Sequence, residues 1–164
     1  MKKLMLLSTV FLMSLAVSAQ PDHKISPHDT VSTKNIKVTY GRPYKKGRVI
    51  FGGLQKYGEV WRCGADEATE ITFAKDGTFG GKAIKAGSYT LFVIPNEKSW
   101  TIIINGDPHF WGTQYEEHKA KDVLHVDVPV KNLGSVVDQL TIHFAGHDMI
   151  IEWDKTGVSI PVSF

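Results

Sequence analysis

From Asn35 onward, apolar and polar residues alternate with period two, the pattern of half-buried β-strands. Ile36, Val38 and Tyr40 alternate with Lys37 and Thr39, and Ile71 and Phe73 with Glu70 and Thr72. "GSYTLFVIP" (87–95) and "SWTIIIN" (99–105) are apolar on both faces, as central strands are, and Pro95-Asn96-Glu97-Lys98 between them predicts a hairpin. In the C-terminal half Leu124, Val126, Val128 and Val130 oppose His125, Asp127 and Pro129. Leu140, Ile142 and Phe144 oppose Thr141 and His143. Met149, Ile151 and Trp153 follow, then Val158, Ile160, Val162 and Phe164. Turn signals separate the runs at Asp76-Gly77, Gly80-Gly81, Asn105-Gly106, Ala145-Gly146 and Thr156-Gly157. Only "TQYEEHKAK" (113–121) tolerates a helix, and it is too short to be stable alone. The pattern predicts an all-β, single-domain antiparallel β-sandwich or jelly-roll-like fold over residues 35–164, with no linker or repeat dividing it.

The first 34 residues depart from that pattern. Lys2 and Lys3 form a basic start, Leu4 to Val17 an apolar run, and Val17-Ser18-Ala19 a small-residue end, so residues 1–19 are expected to be a secretory signal peptide. The run is short for a membrane span, no stop-transfer pattern follows it, and no cysteine near the cleavage point offers a lipid anchor. An exported chain, in the periplasm, on the cell surface or outside the cell, is the expectation. Residues 20–34 are polar and proline-bearing and are expected to be an extended N-terminal lead.

Removal of residues 1–19 takes away two lysines and no acids, so the formal charge falls from +2 to 0. A neutral domain argues against nucleic acid, which requires a basic face, and equally against an electrostatic membrane anchor. The one cysteine, Cys63, cannot close an internal disulfide. Beside Trp61 it reads as a small buried apolar residue.

The chemistry-bearing residues gather in two stretches. "GEVWRCGADEATEITF" (58–73) places Trp61, Arg62 and Cys63 before a Gly64-Ala65 turn, with Asp66 and Glu67 beyond it. Arg62 can form a two-pronged pair with a carboxylate. It either locks this corner against Glu67 or Glu59, or stands free for an anionic or polyhydroxyl ligand with Trp61 as a stacking face. Upstream, "YGRPYKKGRVIFGG" (40–53) adds Arg42, Arg48, Tyr40 and Tyr44 on a loop stiffened by Pro43. These line one pocket or rim a hairpin. The glycines lack the Walker spacing of a phosphate loop. "GDPHFWGTQY" (106–115) supplies Trp111 in an aromatic loop that stacks on sugar rings or caps the sandwich. His125, Asp127 and His143 would meet at a metal only if their strands paired, and no zinc-binding spacing supports that reading. Glu59, Asp66, Glu67 and Glu70 are acids for general acid–base work without a defining arrangement, and no serine lies in a nucleophile elbow. Nothing compels an enzyme, a metal or a cofactor.

The runs "GRPYKKGRVIFGGLQKYGEVWRCGADEATEITF", "GGKAIKAGSYTLFVIPNEKSWTIIIN" and "IEWDKTGVSIPV" resemble a family of exported bacterial proteins catalogued as domain of unknown function 2911. The likeness runs from about Ser26 to the C-terminus. The family is defined by sequence and not by an activity, so the resemblance implies no reaction. Its pattern includes Arg42-Pro43, Gly47-Arg48, Phe51 to Gly53, and Trp61, Arg62, Gly64, Ala65, Glu67, Ala68 and Thr69. Cys63 stands where the family commonly has threonine, which speaks against a nucleophile there. Asp66 stands where it commonly has asparagine, which speaks against an obligatory carboxylate. Such a signature suits a shared pocket and a shared salt-bridge corner equally.

Three functions are compatible with these residues. The first is a binding or accessory module for a glycan or other polar small ligand. In it Tyr44, Trp61 and Trp111 stack, Arg42, Arg48 and Arg62 donate hydrogen bonds, and Glu67 orients Arg62. The second is a structural or interaction subunit of a cell-envelope complex. The third is a hydrolase using Glu67 and a histidine.

Overall fold

The computed structural model describes residues 26–164; the expected signal peptide and the start of the lead lie outside them. The chain builds β1 (His28–Ser32), β2 (Ile36–Gly41), β3 (Thr69–Phe73), β4 (Gly77–Phe79), β5 (Lys82–Ile84), β6 (Gly87–Pro95), β7 (Ser99–Asn105), β8 (Asp122–Ala145) and β9 (Asp148–Ser163). These strands all pair antiparallel, in the order β1-β2-β3-β6-β7-β8-β9-β4-β5. The fold is all-β and sandwich-like, as the alternation predicts. The expected hairpin joins β6 to β7, closed by Asn96 donating its N–H to the Ser99 carbonyl at 3.1 Å.

One long strand turns a single sheet into two facing layers. The 24 residues of β8 pair with β7 through residues 122–129 and with β9 through 130–145. Register shifts at Asn132/Val137 and Val137/Thr141 interrupt the part paired with β9. Irregularities of this kind let a strand leave one layer and join the other. After β2 the chain crosses to the second half of β8. There the Ile142 N–H donates to the Tyr40 hydroxyl at 2.9 Å and the Leu140 N–H to the Pro43 carbonyl at 3.0 Å. Burial between the layers raises the Tyr40 phenol pKa above its ordinary value.

Between the layers lies a core centred on aromatic rings. Trp61 stacks on Trp153 with centroids 5.9 Å apart, and Trp100 and Phe51 meet them edge-on or tilted. At the other end Phe73 packs on Phe79 and Phe164. The residues expected to face inward on β2, β3, β8 and β9 do so. The double-sided hydrophobicity of β6 and β7 also has a cause. Leu91, Val93, Ile102 and Ile104 face the main core, while Phe92 and Ile103 face outward into a second cluster covered by Phe110 and Tyr115. The covering loop carries a four-residue helix, α1 (Tyr115–His118), and a single 3-10 turn, Lys119–Lys121. The Tyr115 hydroxyl donates to Asp122 at 2.6 Å and pins the loop down. Burial, then the Asp122 carboxylate, pushes the Tyr115 phenol pKa up.

Two expectations change, and one open alternative closes. Part of the extended lead is β1, paired along its length with β2. Thr156-Gly157 is not a turn but runs through β9 opposite Lys131 and Asn132, because the bend there falls at Asp154, whose φ is 56°. His125, Asp127 and His143 cannot meet, since all three lie on β8, and their partners are Asp122, Thr101 and Glu152.

Candidate functional site

The stretch before β3 folds into a tight corner at one end of the sandwich. Gly58, with φ at 79°, turns the chain inward, and Trp61 exchanges both backbone hydrogen bonds with Val93 at 2.7 and 2.8 Å. Cys63 and Asp66 adopt left-handed backbone conformations, φ 52° and 67°, and reverse the chain. Three contacts lock that reversal. The Trp61 indole donates to the Gly64 carbonyl at 3.3 Å, the Thr69 hydroxyl to the Cys63 carbonyl at 2.9 Å, and the Ala68 N–H to the Phe110 carbonyl at 3.2 Å. Gly41 lies so close that any Cβ there would overlap the Ala65 carbonyl, and a Cβ on Gly64 would press on Thr69 Oγ1 and the Gly41 carbonyl. Glycine at 41 and 64 is therefore required by the close packing of this corner.

The residues read as site residues divide by what they touch. Trp61 is 4 % exposed and its ring lies in the core against Trp153, so no face is open for stacking. Arg42 is a strap between layers: Nε donates to the Leu140 carbonyl and Nη2 to Thr141 Oγ1, both at 3.0 Å, with Asp29 3.5 Å from Nη1. Arg48 donates to the Lys45 carbonyl at 2.9 Å and the Tyr44 carbonyl at 2.6 Å, holding its own turn. Tyr44 and Trp111 stand 43 % and 42 % exposed. Glu67 pairs with His28 at 2.9 Å and not with Arg62, and Glu59 lies 3.9 Å from Lys56. The Arg62 guanidinium has no hydrogen-bond or ion-pair partner among the described residues. Its stem runs over Gly112, where a Cβ would overlap it.

Arg62 stands in the wall shared by two cavities. The larger, about 560 Å³, is lined by Gln55, Glu59, Arg62, Gly112, Tyr115 and Glu116 among others. The smaller, about 290 Å³, is lined on its polar side by Tyr44, Lys46, Arg48, Gln55, Arg62 and Asp66. Trp111 lines neither of them. Two contributors, Lys46 and Gln55, were not singled out from the sequence, and Asp66 was given no place in the site. Lys46 sits in the quoted loop but carries no pattern of its own, Gln55 has no local signal, and Asp66 was visible only as one acid among four. Asp66 is 8 % exposed and its Oδ2 is buried without a hydrogen-bond partner. Cys63 is free and fully buried, and burial pushes its thiol pKa well above the ordinary 9.0, so the reactive thiolate is suppressed. No group of three or more His, Cys, Asp or Glu side chains among the described residues is arranged to hold a metal ion.

The fold and this corner define an all-β, sandwich-like protein with a polar recess at one corner that Arg62 helps to wall. Its sequence matches the family model described as "Protein of unknown function (DUF2911)" over residues 21–162, and the chain belongs to that family. No curated protein and no solved structure matches it.

Proposed function

We propose that the protein is an exported binding module for a polar small ligand, taken up at the corner formed by residues 42–66 and the 106–116 loop. Export is inferred from the basic, apolar and small-residue segments of residues 1–19. One observation carries the binding reading: a half-buried arginine without a partner in the wall of two adjoining cavities. A guanidinium has five donors in a fixed fork. Leaving them unmatched in a recess forgoes hydrogen bonds that an incoming acceptor would complete. Tyr44 offers an exposed ring face beside the smaller cavity for a sugar or other flat group. Arg42, Arg48 and Trp61 serve this site by holding its walls.

A thermal melt against sugars, small anions and metal ions tests the reading. A ligand that binds the folded protein raises the melting temperature with the logarithm of its concentration, and Arg62→Met should abolish the rise. No shift with any compound, or a shift that Arg62→Met leaves intact, would refute a site at this corner.

A second reading has its own support. Tyr44, Val49, Leu54, Tyr57 and Val60 are exposed apolar residues on one stretch of chain. Such residues suit contact with a protein partner in a cell-envelope complex. A pull-down from membranes that recovers one stoichiometric partner, lost when Val49 and Leu54 are both changed to serine, would favour it.

A further inference from the structure

We propose that the smaller cavity is an oxyanion site, built for a ligand that carries a carboxylate or phosphate-type group. The inference rests on the binding reading above and narrows the ligand to one chemical class.

The cations around this corner fall into two groups. Arg42 pairs with Asp29, Lys45 with Asp154 and Lys56 with Glu59. Lys46, Arg48 and Arg62 have no carboxylate partner among the described residues, and all three line the same cavity of about 290 Å³. Arg48 has its Nε and one Nη engaged by carbonyl oxygens, which fix the guanidinium in place and leave further N–H groups of the fork for a ligand. Arg62, whose guanidinium has no partner among the described residues, is the principal donor, able to grip two oxygens of one anion. The larger cavity differs. There Arg62 is opposed by Glu59 and Glu116, so the anion's seat is on the Lys46 side.

Asp66 is the only acid among the described residues that line the smaller cavity, and its unpartnered, buried Oδ2 bears on affinity. Arg62 does not pair with it although the two share one wall. A buried carboxylate near the seat repels an anion through a medium that screens poorly. Its neutralisation should therefore tighten binding, while loss of Arg62 weakens it. The two substitutions act in opposite directions, and a merely structural corner would show no such opposition in ligand affinity.

The test is isothermal titration of the purified protein with inorganic phosphate, glucuronate and glucose, at constant ionic strength set with sodium chloride. Phosphate or glucuronate should bind and glucose should not. Which of the two binds more tightly distinguishes a phosphate from a carboxylate ligand. Arg62→Met should weaken that binding by about tenfold or more, and Asp66→Asn should strengthen it severalfold. Glucose binding that depends on Arg62, with neither acid bound, would overturn the oxyanion class and leave the site standing. Anion binding unchanged by Arg62→Met, or weakened by Asp66→Asn, would overturn the proposed seat. An absence of binding by all three, with both variants folded as judged by their melts, would overturn the oxyanion inference.

Discussion

Two arginines twenty positions apart should respond unequally to the same substitution. Arg42→Met removes two charge-assisted donations at 3.0 Å, to the Leu140 carbonyl and to Thr141 Oγ1. The Thr141 hydroxyl retains its own donation to the Gln139 carbonyl at 2.9 Å. The Leu140 carbonyl lies in a register gap of the β8–β9 pairing and loses its donor. A hydrogen bond to a charged donor at a half-buried site is worth about 1.5–3 kcal/mol. The ion pair with Asp29 joins side chains 31 % and 40 % exposed, so solvent screening leaves it a few tenths of a kcal/mol at most. The expected loss is about 2–3 kcal/mol, a fall in melting temperature of about 4–10 °C for a chain of this size. Arg62→Met keeps the methylenes over Gly112 and removes no hydrogen bond, so it should stay within about 0.5 kcal/mol of the parent. Parallel urea and thermal melts of the two variants decide the matter. A larger fall for Arg62→Met than for Arg42→Met would refute the assignment of Arg42 as strap and Arg62 as ligand donor.

Other substitutions probe the corner and the core. Gly41→Ala should cost about 1–3 kcal/mol or more, since the new Cβ meets a backbone carbonyl that cannot rotate away; an unchanged urea midpoint would contradict the close approach. Trp61→Ala should cost about 3–5 kcal/mol by emptying the space against Trp153 and Trp100, and a loss below about 1 kcal/mol in chemical denaturation would show that the ring is not in the core. Cys63 predicts an alkaline limb. Its folded thiol pKa is raised above the ordinary 9.0, so the stability it contributes is complete below pH 9 and is lost as pH rises toward the folded value. That loss can reach about 1.4 kcal/mol per pH unit. Urea midpoints of the parent and Cys63→Ala measured from pH 7 to 10.5 should converge above pH 9, and parallel curves would refute it.

Strand positions and inward faces were legible in the sequence because the side-chain period of a strand is two and each layer has one buried face. Ile36, Val38 and Tyr40, or Leu124, Val126 and Val128, declare their orientation without reference to any partner. The continuous hydrophobicity of β6 and β7 marked them as central, but not that the 106–121 loop would cover their outer face. β8 was legible only in its two ends. Its middle, residues 131–139, carries no alternation because it crosses between layers, where neither face is consistently buried.

The candidate site divides in the same way. Sequence alone singled out residues 40–67 and the aromatic loop near Trp111, because arginines, aromatics and turn residues crowd there. It could not assign their roles, since a charged side chain's role depends on which acceptors the fold brings within about 3 Å. The fold brought the Leu140 carbonyl to Arg42, turned the Trp61 ring inward, and gave Glu67 to His28. It left Arg62 without a partner beside Lys46, Arg48 and Asp66. The sequence by itself determined the all-β class, the strand faces and the region of interest, all of which follow from local periodicity and residue type. Tertiary structure alone decided which arginine is strap and which is open, because those contacts join residues up to about a hundred positions apart.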